Sequence, residues 1–105
     1  MGTLTVIWWR DIPAQVVATD SGQSHKVVLD ARFQDAIDRA AVKAGRQQED
    51  DYLADWRSVR RRCGDDLEAE AKREAASLEA TYSKDTLRRL VASGGIDEAR
   101  AETGV

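Results

Sequence analysis

The sequence predicts an α+β domain in which a three-stranded antiparallel N-terminal sheet packs against about four α-helices. Two observations point there. β-branched and aromatic residues crowd the first third of the chain while alanine and charged residues dominate the rest, and turn-forming residues cut that first third into short extended runs. A length of 105 residues supports one modest core, so a single domain is expected over 1–95, with 96–105 as a mobile tail.

Residues 3 to 9 read as the first strand. "RDIP" follows as the connection, because Pro13 fixes its own φ and biases Ile12 towards extended geometry. Residues 14 to 20 return as the second strand, "DSGQ" at 20 to 23 turns by composition, and "SHKVVL" at 24 to 29 completes the sheet. Asp30 then occupies an N-cap position, and Phe33, Ile37, Ala40, Ala41 and Ala44 fall on one helical face until Gly45. A second helix is expected to start near Glu49 to Asp51, carry Tyr52, Leu53, Trp56 and Val59 on one side, and end at Gly64. "DDLEAEAKREAASLEATY", 65 to 82, has a capping-box-like start in Asp65 and Glu68 and an apolar stripe of Leu67, Ala71, Ala75, Leu78 and Tyr82. Ser83 caps a short last helix with Leu87, Leu90 and Val91 inward, closed by "SGG" at 93 to 95. From Ile96 onward there is too little apolar surface to specify a fold.

Composition narrows the function. Apolar content of 42%, 33% charged residues and a formal charge of −3 describe a soluble domain with no overall field to attract polyanions, so nucleic acid is not the expected partner. The single cysteine, Cys63, suits a reducing compartment. "MGTLTVIWWRD" lacks the basic and long apolar regions of a signal peptide, Val6 stands where a myristoylation motif needs Ser or Thr, and no stretch approaches the length of a membrane helix. A cytoplasmic protein without membrane attachment is expected.

Catalytic and metal motifs are not found. One Cys and one His, His25, make no zinc cluster, and no serine sits in a nucleophile elbow. "SGG" lacks the pattern of a phosphate-binding loop, so no cofactor is expected. Cys63 follows three arginines that could lower its pKa, which is the one argument for a reactive thiol. "RSVRRR" at 57 to 62 lies beside Trp56, and Arg57, Arg60 and Arg61 are candidate anion contacts, although a helix C-terminus and the following acids would also account for them.

"TVIWWRDIPAQVV" holds the other candidate. On a strand, Leu4, Val6 and Trp8 share one face while Thr3, Thr5, Ile7 and Trp9 share the other, so the two indoles point opposite ways. The threonines mark the second face as the open one, and Trp9 becomes the expected interface anchor unless the last helix or tail covers it. The expected partner surface is Trp8, Trp9, Arg10, Asp11 and Gln15, with Arg10 and Asp11 as orienting polar contacts.

"LTVIWWRDIPAQV" at 4 to 16, "FQDAIDRAAVKAG" at 33 to 45, "DDYLADWR" at 50 to 57 and "GDDLEAEA" at 64 to 71 resemble, in this order, the small bacterial "virulence factor" domain family known from alphaproteobacteria. The resemblance covers roughly residues 3 to 92. It implies a small cytoplasmic domain without a known catalytic residue, whose stand-alone members are encoded near methylenetetrahydrofolate reductase-like and corrinoid methyltransferase-like genes. That neighbourhood implies an accessory subunit, a protein-interaction module whose partner is an enzyme of one-carbon metabolism. A small-ligand or anion-binding protein using the Arg-rich surface is the alternative.

Overall fold

Apolar side chains at alternate positions of β1 (Gly2–Trp9) demand a sheet with one covered face. In the computed structural model, which describes residues 1–46 and 48–97, β2 (Ile12–Asp20) and β3 (Gln23–Val28) follow as an antiparallel meander. Then come α1 (Ala31–Lys43), α2 (Glu49–Ala54), β4 (Trp56–Cys63), α3 (Leu67–Thr81) and α4 (Lys84–Ala92). The architecture is α+β with four helices. The sheet, however, has four antiparallel strands in the order β3-β2-β1-β4, one more than the sequence suggests.

The extra strand comes from the segment expected to continue the second helix. After Ala54 the chain leaves the helix, and residues 56 to 63 pair with β1 along its whole length, from Gly2 opposite Cys63 to Trp9 opposite Trp56. The spacing of Tyr52, Leu53, Trp56 and Val59 suits a helix, but the competing demand is larger. Without β4, β1 would be an edge strand of apolar residues with a row of unpaired backbone groups, and pairing satisfies both at once. Tertiary pairing therefore overrides a local helical pattern.

The helices form where their caps and stripes require. Asp30 caps α1 by accepting from the Arg32 amide at 3.4 Å, and Phe33, Ala36, Ile37, Ala40 and Ala41 are buried. Asp66, one residue after the expected Asp65, caps α3 through the Ala69 amide at 3.1 Å, and Ala71, Ala75 and Leu78 face inward. Ser83 caps α4 at the Thr86 amide, with Leu87 and Leu90 buried. α3 lies across β2 and β3, while α1 packs on α4 and against β2. Leu4, Val6, Val16 and Ala18 meet these helices in one core with Trp9, Ile12, Phe33 and Ile37.

Pairing in register fixes which residues lie on the other face. Across the sheet from β3 to β4 run the rows Val28, Gln15, Ile7, Ser58; Lys26, Val17, Thr5, Arg60; and Ser24, Thr19, Thr3, Arg62. Ile7 and Val17 are half-buried there without joining the core. Between Ile7 and Trp8 the β1–β2 register shifts, so that Ile7 faces Gln15 but Trp8 faces Pro13. Ala14 is the extra residue of this bulge, and its carbonyl accepts from the Leu29 amide at 3.1 Å.

Of the expected tail, Ile96 and Asp97 are described and held: the Ile96 amide reaches the Ser93 carbonyl, and the Asp97 amide donates to Asp11 Oδ2 at 2.6 Å. Residues 98–105 lie outside the described part.

Candidate functional site

The β1–β2 connection is only Arg10 and Asp11, and Arg10 takes a left-handed φ of 52°. Such a conformation costs a non-glycine residue about 1–2 kcal/mol. Its surroundings hold it there. The Arg10 amide donates to the Asp55 carbonyl at 3.0 Å, its Nε to Asp55 Oδ2 at 3.2 Å, and its Nη1 to the Gly94 carbonyl at 3.0 Å. Arg46 Nε donates to the same Asp55 Oδ2 at 2.9 Å, so one largely buried carboxylate serves two guanidinium groups.

Asp11 completes the knot from the other side. Its amide donates to the Gly95 carbonyl at 2.8 Å, Oδ2 accepts from the Asp97 amide, and Oδ1 accepts from Arg57 Nη2 at 3.4 Å. Arg57 also donates from Nε to the Arg10 carbonyl and lies 5.2 Å over the Trp8 ring. "WWRD" is thus the junction at which the hairpin, the α2–β4 connection and the segment after α4 are tied together.

The tryptophans follow from this. They point opposite ways, as strand alternation requires, because the pairing of β1 with β4 is unbroken. Trp9 does not serve as an exposed anchor: it is fully buried at the hairpin end of β1, in the same core as Leu4, Val6 and Phe33. Its ring stacks on Tyr52 of α2 at 5.8 Å, its Nε1 donates to the Tyr52 carbonyl at 2.9 Å, and Arg10 sits 5.3 Å above it. Gly95 closes over it so tightly that a Cβ there would lie 2.9 Å from Trp9 Cζ3. Trp8, half-buried, meets Tyr82 edge to face at 6.0 Å, and Tyr82 meets Phe33. Gln15 stands apart from this cluster, in the open face between Ile7 and Val28.

Alternation along β4 divides the arginines of "RSVRRR". Arg57 and Arg61 fall on the helix-side row with Val59 and Cys63, and each is paired, to Asp11 and to Glu74 at 3.0 Å. Arg60 and Arg62 fall on the open face. Among the described residues neither has a carboxylate partner, and the same is true of Lys26 in the row beside them. Of the expected anion contacts, then, Arg57 and Arg61 are engaged within the fold, while Arg60, joined by Arg62, has no carboxylate partner among the described residues. Arg10 is engaged as well.

Cys63 does not carry the reactive thiol that its neighbours suggest. It is buried, and loss of solvent followed by the nearby Glu70 carboxylate raises its pKa, outweighing the opposing effect of Arg61. Among the described residues no three His, Cys, Asp or Glu side chains are placed to hold a metal ion. No helix among them is long and apolar enough to cross a membrane.

The profile of a family described as Virulence factor matches residues 7–91, from within β1 to within the last turn of α4. The chain belongs to the Virulence factor family. Its matched span takes in Trp9, Arg10, Asp11, Arg46 and Asp55 of the junction and the whole of β4, and ends before Gly94, Gly95 and Asp97. No curated protein and no solved structure matches the chain.

Sequence reasoning missed Asp55, Arg46 and Gly95 at the junction, and Arg62 and Lys26 on the face. Reading 56–63 as a strand would have separated Arg60 and Arg62 from Arg57 and Arg61 by parity alone. Nothing in the local sequence marks Asp55 as the shared acceptor of two distant arginines.

Proposed function

We propose that this Virulence factor domain is a non-catalytic interaction module, an accessory subunit that docks a partner protein across the uncovered sheet face and the adjoining β4 strand. One observation carries the reading. The helices cover one side of the sheet, and the other side presents Ile7, Val17 and Val28 among Thr, Ser and Gln, bounded by Lys26, Arg60 and Arg62 with no carboxylate in those rows. An apolar strip with a one-signed polar rim is the composition of a docking surface. The junction side chains around Trp9 are engaged within the fold and are left out of this docking surface.

The proposed partner is a one-carbon enzyme, methylenetetrahydrofolate reductase-like or corrinoid methyltransferase-like, as the family resemblance implies, in a cytoplasmic setting. The test is purification of the tagged protein from its native cells with native mass spectrometry of the eluate. Co-elution of a stoichiometric enzyme with the wild type, and its loss in Thr19→Glu/Val28→Glu at unchanged melting temperature, is expected. Co-elution that survives this double substitution would place the docking surface elsewhere.

Lys26, Arg60 and Arg62, which have no carboxylate partner among the described residues, favour a second reading, a small-anion site. Thermal shift against phosphates, folates and corrinoids separates the two, since a ligand at a hundred times its Kd adds about 2.7 kcal/mol.

A further inference from the structure

β4 differs from every other strand of this sheet in being open on three sides. It is a sheet edge, α3 lies over β2 and β3 and meets it at the Arg61–Glu74 pair, and no described element covers the opposite face, so Ser58 to Arg62 are all exposed in succession. Val59, an apolar residue on the helix-side row, is 47% exposed. β3, the other edge, has α3 packed against it. Long open edges invite pairing with further strands and are ordinarily blunted by proline, a bulge or charge. β4 has no proline, and its register with β1 is continuous; its protection is the arginine series alone.

That protection is selective. A second copy of β4 laid against the first would set arginines against arginines, whereas an acidic strand would find cations awaiting it. Arg57 and Arg61 are paired with Asp11 and Glu74, so among the described residues the β4 arginines without a carboxylate partner are Arg60 and Arg62, two residues apart on the open face. Single-stranded nucleic acid fits less well, since those rows hold no exposed aromatic ring on which bases could stack.

We infer that β4 accepts an extended acidic segment of the partner as a fifth strand of the sheet, a reading that rests on the docking function proposed above. The register specifies the segment. In an antiparallel pairing, the residues opposite Arg62 and Arg60 are acidic, the one between them faces Arg61, and the one opposite Val59 is apolar, giving acidic-x-acidic-apolar from N- to C-terminus. Main-chain hydrogen bonds hold the segment, and the alternate side chains select it.

The test uses the full chain, isotopically labelled, titrated with a capped peptide of sequence Thr-Glu-Thr-Glu-Val-Thr and followed by amide chemical shifts. Shifts concentrated at Ser58 to Arg62, binding weakened at least tenfold in Arg60→Glu/Arg62→Glu, and no binding of the peptide with Lys in place of Glu are expected. The charge-reversed variant should in turn bind the Lys peptide, a gain that misfolding could not produce. Shifts confined to Thr5, Ile7 and Val17 would overturn strand addition while leaving the docking face intact. Absence of shifts at millimolar peptide, with the wild type still co-eluting its enzyme, would overturn the inference and spare the proposed function; absence of both would remove the two together. A thymidine oligonucleotide that displaced the peptide from the β4 amides would also overturn it.

Discussion

The hairpin junction and β4 are built from the same materials, tryptophan beside arginine, and the fold uses them in opposite ways. At the junction every cation is satisfied: Arg10 and Arg46 on Asp55, Arg57 on Asp11, with indole rings beneath Arg10 and Arg57. On β4, a few residues further along, Arg60 and Arg62 are exposed and have no carboxylate partner among the described residues. Sequence composition cannot distinguish an arginine that locks a turn from one that waits for a ligand; the acid brought to it by the rest of the chain does.

Removing the junction's apolar centre has the largest expected effect. Trp9→Ala deletes a fully buried indole, and such truncations cost about 3–5 kcal/mol, against the roughly 5–15 kcal/mol that holds a domain of this size together. Calorimetry should show the melting temperature falling by about 10 °C or more. An unchanged midpoint would mean that Trp9 is not the centre of the junction.

Gly95→Ala comes next, because both its φ of +88° and the 2.9 Å approach of the new Cβ to Trp9 oppose the substitution. A loss of about 2 kcal/mol is expected in urea unfolding. Gly22→Ala is the control: its φ is +83°, but nothing lies within 4 Å, so only the backbone strain of about 1 kcal/mol remains. Equal losses at the two sites would show that Gly95 does not press on the indole. Asp55→Asn keeps the shape of the shared acceptor and removes its charge, and with partial exposure of all three side chains the expected loss is about 1 kcal/mol.

Much of this fold is legible in the sequence because it is local. Asp30, Ser83 and the Ala71–Ala75–Leu78 stripe act within one or two helical turns, and the alternation of Leu4, Val6 and Trp8 against Thr3, Thr5 and Ile7 states which side of β1 is covered. β4 was not legible, since its strand state comes from the open edge of β1, some fifty residues earlier. Nor was the fate of Trp9. Parity alone groups it with Thr3 and Thr5, but α2 and Gly95, which arrive from far along the chain, bury it in the core.

Cys63 separates covered from open along β4 itself. Its raised pKa, due first to loss of solvent and then to Glu70, means that folding favours the neutral thiol. The folded-state pKa lies above the unfolded one, so the stability this group contributes is complete below the unfolded pKa and fades as pH rises towards the folded value. Alkylation by iodoacetamide near pH 8 should be slow in the folded chain and accelerate in urea. A rate equal to that of free cysteine would mean that the end of β4 is as open as its middle.

The smallest expected effect on stability is the most informative. Arg60→Glu/Arg62→Glu reverses two charges on an exposed edge strand, where no carboxylate loses its partner and no apolar contact is removed, so unfolding free energy should stay within about 0.5 kcal/mol of wild type. A gain in stability would show that the bare arginines repel one another and Arg61, the strain being tolerated for the sake of what the strand receives. A loss of the size expected at Asp55 would instead mean that both arginines belong to the internal network and that β4 is no more open than the hairpin junction. Near-zero change combined with loss of acidic-peptide binding is the outcome that separates the two regions: one holds the fold together, and the other is held out to a partner.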